Sequence, residues 1–252
     1  MSDWNADEYL KFANERTQPC IDLANRIRLY EPKTVADIGC GPGNSTSVLM
    51  NTFPKAKITG YDNSESMINT AKGKYPDADF VLSSVWNLDK NFDLIFSNAC
   101  LQWVENHEKL IPFLMSKINS GGILAVQMPM NGQEPLFKII KEVANNSRWD
   151  FSSVYFEKND ILTPAEYYDI LSANCKHFNI WETVYYHIMK DHKKLIEWVR
   201  STRLRPYLDV LNEDEKTEFE NEILNKAKKF YPLTQNGNII FKFRRLFFVA
   251  YK

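Results

Sequence analysis

Asp37-Ile38-Gly39-Cys40-Gly41-Pro42-Gly43-Asn44 is the stretch on which the fold turns. It grows out of the apolar run Val35-Ala36-Asp37-Ile38, which reads as a short buried strand, and leads into a helical stretch at residues 45–50. Glycines in such a turn let the backbone approach a ligand closely, and in open α/β sheets ligands bind at the carboxyl ends of strands. The dinucleotide fingerprint G-x-G-x-x-G would need Gly or Ala at position 44, where Asn44 stands. Asp37 also argues against a pyrophosphate, because a carboxylate repels the anion that a helix N-terminus attracts. It suits a ligand with a cationic ammonium and sulfonium. Asp62 ends the next strand, 23 residues after Gly39, where a carboxylate can accept hydrogen bonds from both hydroxyls of a ribose. The alternative is a purely structural turn with Asp62 as a helix cap. The joint occurrence of Asp37, the loop and Asp62 in their strand contexts argues for the ligand.

Outward from the loop, strands alternate with helices. Residues 56–61, 78–82, 92–96 and 123–128 read as further strands, the last opened by Gly121-Gly122, with helices over 67–74 and 107–118 between them. These strands are continuous apolar runs rather than alternating ones, as expected when helices cover both faces of a parallel sheet. On the amino-terminal side, residues 5–28 read as two helical stretches, the second opened by Pro19. Beyond Pro129 come helices at 134–146 and 164–174 and an alternating strand at 178–189. Helical residues 192–231 follow, interrupted at Arg205-Pro206, and a last strand covers 239–251. The late strands fit an antiparallel pair at one sheet edge. The fold class is α/β, a doubly wound, mostly parallel, seven-stranded sheet. The chain is expected to be a single domain over 1–252, with 1–30, 131–160 and 190–237 forming a helical cap.

Bulk properties narrow the function. A length of 252 residues supports one large core. The net charge of −1 lacks the basic excess of a protein that grips nucleic acid, so no nucleic-acid partner is expected. Cys20, Cys40, Cys100 and Cys175 have no metal-ligand spacing and read as free thiols of a reducing compartment. No metal is expected. The start MSDWNADEYL lacks the basic, apolar pattern of a signal peptide, and no apolar run reaches the ~20 residues of a membrane span. A cytoplasmic protein with no membrane partner and no obligate protein partner is the expectation.

D-I-G-C-G-P-G-N (37–44) and G-Y-D-N-S-x-x-M (60–67) resemble the first two motifs of the class I S-adenosylmethionine-dependent methyltransferases. The likeness narrows to the trans-aconitate methyltransferase family. It is carried by S-D-W-N (2–5), Tyr9, Phe12, Glu15-Arg16, Pro19, S-N-A-x-L-Q-W (97–103) and L-A-V-Q-M-P (124–129). Y-Y-H (185–187), L-R-P (204–206) and R-L-F (245–247) complete it, so that it covers nearly the whole chain. The resemblance implies a Rossmann-like sheet, S-adenosyl-L-methionine as cofactor, S-adenosyl-L-homocysteine as product, and methyl-ester formation on a small carboxylic acid. It implies cofactor contacts at Asp37, Gly39, Cys40, Gly41, Asn44, Asp62, Asn63, Met67, Ser84, Val85 and Asn98. The chain departs from the family at Ser84, where an Asp usually meets the adenine amino group. Ser84 or the backbone near Val85 is left to supply that contact.

A carboxylate acceptor is already ionised at neutral pH, its ordinary pKa being ~4. No catalytic base is therefore expected. The site needs a dry pocket, alignment of the acceptor oxygen, and cations for the carboxylates that do not react. Arg16, Arg205 and Arg245 fall on the family pattern and are the expected acceptor cations, since arginine holds carboxylates through paired hydrogen bonds. The alternative for any one of them is a solvated surface residue. Tyr186 and His187 are neutral donors on a strand, with His187 equally readable as a structural residue. Gln102 and Trp103, after the fourth strand, line the pocket or pack a helix on the sheet. The competing acceptors are a fatty acid, an acyl carrier thioester or a natural-product hydroxyl. A nucleic-acid substrate fits poorly, because Ser97-Asn98-Ala99-Cys100 stands where an N-P-P-Y segment would. A non-catalytic binding protein would be expected to have lost Asp37 or the glycines.

Overall fold

The computed structural model describes residues 13–154 and 161–252, with the side chains of residues 13–16 and of Ser201 outside the description. Seven strands form one sheet: β1 (Thr34–Ile38), β2 (Lys57–Asp62), β3 (Asp79–Leu82), β4 (Phe92–Asn98), β5 (Ile118–Pro129), β6 (His177–Met189) and β7 (Ile239–Tyr251). Their order is β3-β2-β1-β4-β5-β7-β6. β1 pairs in parallel with β2 and β4, as do β2 with β3 and β4 with β5. β7 runs antiparallel to β5. The strand order reverses between β1 and β4, so the carboxyl ends of those strands flank the crevice where open α/β sheets take ligands.

The chain divides into two compact units. The first gathers the described residues of Met1–Pro129, Lys158–Thr183 and Arg245–Lys252. Its first described helix, α1 (Ala13–Arg26), carries Pro19 inside it, where Pro19 was expected to open a second stretch; residues 5–12 of the expected pair lie outside the described residues. Buried Cys20, Leu23, Ala24 and Ile27 recur at helical spacing, and that apolar stripe outweighs the one backbone hydrogen bond a proline removes. α1 packs against β5 and against α2 (Asn44–Thr52). The helices α3 (Glu65–Lys74), α4 (His107–Ser116) and, beyond α5 introduced below, α6 (Pro164–Asn174) complete the layers.

Gly121-Gly122 lies within β5 rather than opening it. Gly121 has φ +78°, and the β4–β5 register shifts between Phe92 and Leu94, so the glycine pair makes a bulge inside a longer strand.

The second unit comprises the described residues of Met130–Glu157 and Val184–Arg244. It contains α5 (Pro135–Ala144), α7 (His192–Val199), a π turn at Arg200–Leu204, α8 (Arg205–Leu208) and α9 (Glu213–Ala227). The expected break at Arg205-Pro206 falls elsewhere. Pro206 occupies the first turn of α8, where a missing N–H costs little, and the irregularities are the π turn before it and residues 209–212 after it. Trp149, Phe151, Tyr207 and Phe219 form an edge-packed aromatic core here. Tyr231 ties α5 to the later helices: its hydroxyl donates to Glu134 Oε1 at 2.7 Å and accepts the Leu136 N–H at 3.0 Å. No helix among the described residues is long and apolar enough to cross a membrane.

Candidate functional site

The glycine loop after β1 folds back onto β2. Gly39 and Cys40 donate their N–H groups to the Tyr61 carbonyl, and Gly41 donates its own to Asp62 Oδ2 at 2.9 Å. Gly39 is obligatory on two counts. Its φ is +71°, and a Cβ there would lie 2.1 Å from Cys100 Sγ. Gly43 then caps the helix whose first residue is Asn44.

Asp37 is completely buried. Ser45 Oγ and Thr46 Oγ1, from the first turn of α2, each donate to its Oδ2 at 2.7 Å, and among the described residues Oδ1 has no hydrogen-bond partner. Burial drives its pKa up to about 6; the Thr46 and Ser45 hydroxyls pull it down, and the nearby Asp62 charge adds to the rise. Asn98, at the end of β4, also has a buried Oδ1 with no partner among the described residues. A pocket with roughly 380 Å³ of empty space, part of it open to solvent, lies against the loop. Its wall is Gly39, Cys40, Gly41, Pro42, Asn44, Ser45 and Asn98, closed by Thr17 and Cys20 of α1. Unpartnered buried acceptors fit a cationic group, and a buried acceptor left unpaired costs about 1–3 kcal/mol, which such a ligand would recover. The residues present therefore fit the ammonium end of an S-adenosyl compound.

Asp62 accepts from Gly41 N and from Ser64 N at 2.9 Å each. A carboxylate has about four acceptor sites, so bracing the loop and meeting a ribose are compatible roles. The cap of α3 is Ser64, not Asp62. Asn63 is exposed beside it, and Met67 is buried in α3. Ser84 caps a 3₁₀ turn, Val85–Asn87, by accepting from Trp86 N at 3.4 Å. Val81, Leu82 and Trp86 expose apolar surface beside this turn, suited to a flat ring. Cys20, Cys40 and Cys100 crowd the loop, and burial raises each thiol, Cys100 to about 12. Protonated thiols are weak nucleophiles, so they can sit beside an electrophilic ligand without reacting.

The expected acceptor residues divide between the units. Gln102 is buried in the 3₁₀ turn Leu101–Trp103, its Nε2 bonded to the Ala99 carbonyl at 2.7 Å. Ala99 adopts φ +52°, a strained conformation for a residue with a Cβ. Trp103 is half-buried in the same turn. His107 holds the turn in place: its Nε2 meets the Leu101 carbonyl at 2.8 Å and its Nδ1 the Tyr167 hydroxyl at 2.5 Å. Arg245 is buried in β7, with Nη1 3.5 Å from Gln127 Oε1. Arg16 lies on α1, with its side chain outside the described residues. Within the second unit, Tyr186 and His187 point to opposite faces of β6, as successive strand residues must. Tyr186 is 65% exposed, while His187 is enclosed by Trp198, Phe241 and Phe243. The two therefore do not converge on one ligand. Arg205 begins α8 and is half-buried.

Sequence reasoning passed over Ser45, Thr46, Thr17, Cys20 and Pro42. Two hydroxyl residues in the first helical turn, four residues or fewer past a buried aspartate's loop, were a usable signal for the first pair. Nothing local marked the residues of α1.

The profile of a methyltransferase domain family matches residues 31–193. The chain is 44% identical to trans-aconitate 2-methyltransferase of Escherichia coli O7:K1 (strain IAI39) over 99% of this chain and 98% of that one. It shows the same identity and coverage against trans-aconitate 2-methyltransferase of Shigella flexneri. Among solved structures, the YcgJ protein of a Bacillus species superposes with a TM-score of 0.62 at 13% identity, covering 93% of this chain and 98% of that one. Phosphoethanolamine N-methyltransferase 2 of Haemonchus contortus, solved with S-adenosylhomocysteine, gives 0.62 at 14% identity, covering 98% of this chain and 57% of that one. These two likenesses speak to the fold alone.

Proposed function

Since the chain belongs to the trans-aconitate 2-methyltransferase family and is an S-adenosylmethionine-dependent methyltransferase, we propose that its acceptor is trans-aconitate and its product a monomethyl ester. The observation that carries this reading is the extent of the likeness, 44% identity along 99% of the chain, which spans the regions beyond the methyltransferase profile as well as the cofactor loop. The cofactor supplies an electrophilic methyl group on a sulfonium. Asp37 and Asn98 offer acceptors for its ammonium end, and Asp62 for its ribose. The acceptor carboxylate arrives ionised, so the protein's task is to hold it in line and exclude water, worth up to ~7–11 kcal/mol.

Arg16, Arg205 and Arg245 are the proposed partners of the carboxylates that do not react, with Gln102 and Trp103 beside the reacting oxygen. The cap over 1–30, 131–160 and 190–237 belongs to the same proposal. A cytoplasmic setting is supported by the four free thiols. The test compares trans-aconitate with a monocarboxylate for the three Arg→Ala variants. Loss of one partner of a buried charge costs on the order of 2–5 kcal/mol, so kcat/KM should fall steeply for the tricarboxylate and little for the monocarboxylate. Equal losses on both would remove the physical basis of the reading.

A further inference from the structure

We propose that Gln127 is a further acceptor-binding residue whose Nε2 donates to a carboxylate of the substrate, and that Arg245, beside its proposed carboxylate contact, orients the Gln127 carboxamide. This rests on the carboxylate reading above. In the β4–β5 register Gln127 stands opposite Asn98, which lines the cofactor pocket. Paired residues on neighbouring strands share a face and lie about 4.8 Å apart. Gln127 is thus one strand's width from the pocket wall, at the carboxyl edge that serves ligands.

Its chemistry is directional. Gln127 is 0% exposed, and among the described residues its Nε2 has no hydrogen-bond partner. Its Oε1 lies 3.5 Å from Arg245 Nη1. A guanidinium carries donors only, so the carboxamide must turn its oxygen toward Arg245 and its NH₂ away. Arg245 is itself 4% exposed, and it shares the β5–β7 face with Gln127 because Phe247, two residues on, is the register partner of Gln127. α1 packs against β5 as well.

Sheet order gives the ligand's polarity. Across β1, β4, β5 and β7 the carboxyl edge presents Asp37 and Asn98 oxygens, then the Gln127 NH₂ and the Arg245 guanidinium. Acceptors meet the cationic cofactor end, and donors lie where an anion would face it. A buried NH₂ without a partner is unfavourable for stability alone, and an apolar side chain would serve the core better.

The experiment uses Gln127→Met, close in length and volume, and Gln127→Glu, which places an anion at the same point. KM and kcat for trans-aconitate are measured beside S-adenosylhomocysteine affinity by calorimetry and the melting temperature. A hydrogen bond to a charged group corresponds to on the order of a ten- to hundredfold loss. KM should rise by that factor in the Met variant and by more in the Glu variant, with cofactor-product affinity within about twofold of wild type. A lowered melting temperature with unchanged KM would mark a structural residue and overturn the proposal. Wild type that forms no ester would refute the carboxylate reading itself, and the proposal would fall with it; active wild type with an unaltered KM in both variants refutes the proposal alone.

Discussion

Protonation of Asp37 should control cofactor binding. Burial holds its carboxyl at about 6 rather than near 3.8. For a raised acid the sign runs one way: its contribution to stability is present in full below the unfolded pKa and is lost as pH rises through the folded one. The shift of roughly two units corresponds to about 3 kcal/mol, lost between about pH 4 and pH 6. Ligand binding has the opposite sign, because a cationic ammonium needs the ionised carboxylate. With a pKa of about 6 the ionised fraction falls about tenfold from pH 7 to pH 5, so apparent affinity should fall about tenfold, or 1.4 kcal/mol. Isothermal titration with S-adenosylhomocysteine over that range reads the slope directly. In Asp37→Asn the affinity at pH 7 should drop and the slope should vanish. A flat profile in wild type, or an unchanged slope in the variant, would refute the argument that this carboxylate is buried to receive a cation.

Further outcomes are open to direct measurement. Gly39→Ala should destabilise the fold by about 2–5 kcal/mol, since a left-handed residue gains a Cβ overlapping Cys100; denaturant titration measures it, and a stability equal to wild type would contradict the loop geometry. Tyr167→Phe strips the hydroxyl from buried His107 Nδ1 and should cost about 1–3 kcal/mol, with a lower kcat as the Leu101–Trp103 turn loosens; a variant as stable and active as wild type would show the contact to be idle. At saturating cofactor the rate should be level from pH 7 to pH 9, because no catalytic base titrates there; a steep rise abolished by His187→Gln would reveal one.

The parallel half of the sheet was legible because buried strands between glycine-rich turns are written as contiguous apolar runs. Asp37, the glycines and Asp62 stood out because their residue types conflict with a plain core: a carboxylate in a buried strand needs a reason. Arg245 was reached only through the family resemblance, and Gln127 was missed because its neutral carboxamide in an apolar run raises no comparable conflict. Helix breaks were misjudged wherever proline was taken as a stop, at Pro19 and at Pro206. A single lost N–H is small beside an apolar stripe or a first-turn position. The faces of Tyr186 and His187 followed from strand geometry alone and were available from the sequence. What no local pattern held was the part played by Thr17 and Cys20 of α1, which reach the loop only through tertiary packing.

The central claim is methyl transfer to a carboxylate, and its most direct test is product analysis. The protein is incubated with methyl-labelled S-adenosylmethionine and a panel of trans-aconitate, other di- and tricarboxylates, a fatty acid and an acyl carrier thioester. The expected result is a labelled trans-aconitate monomethyl ester, formed with release of S-adenosylhomocysteine and in preference to every other acceptor. Label appearing only on a lipid acid, a thioester or a hydroxyl, with trans-aconitate untouched, would contradict it.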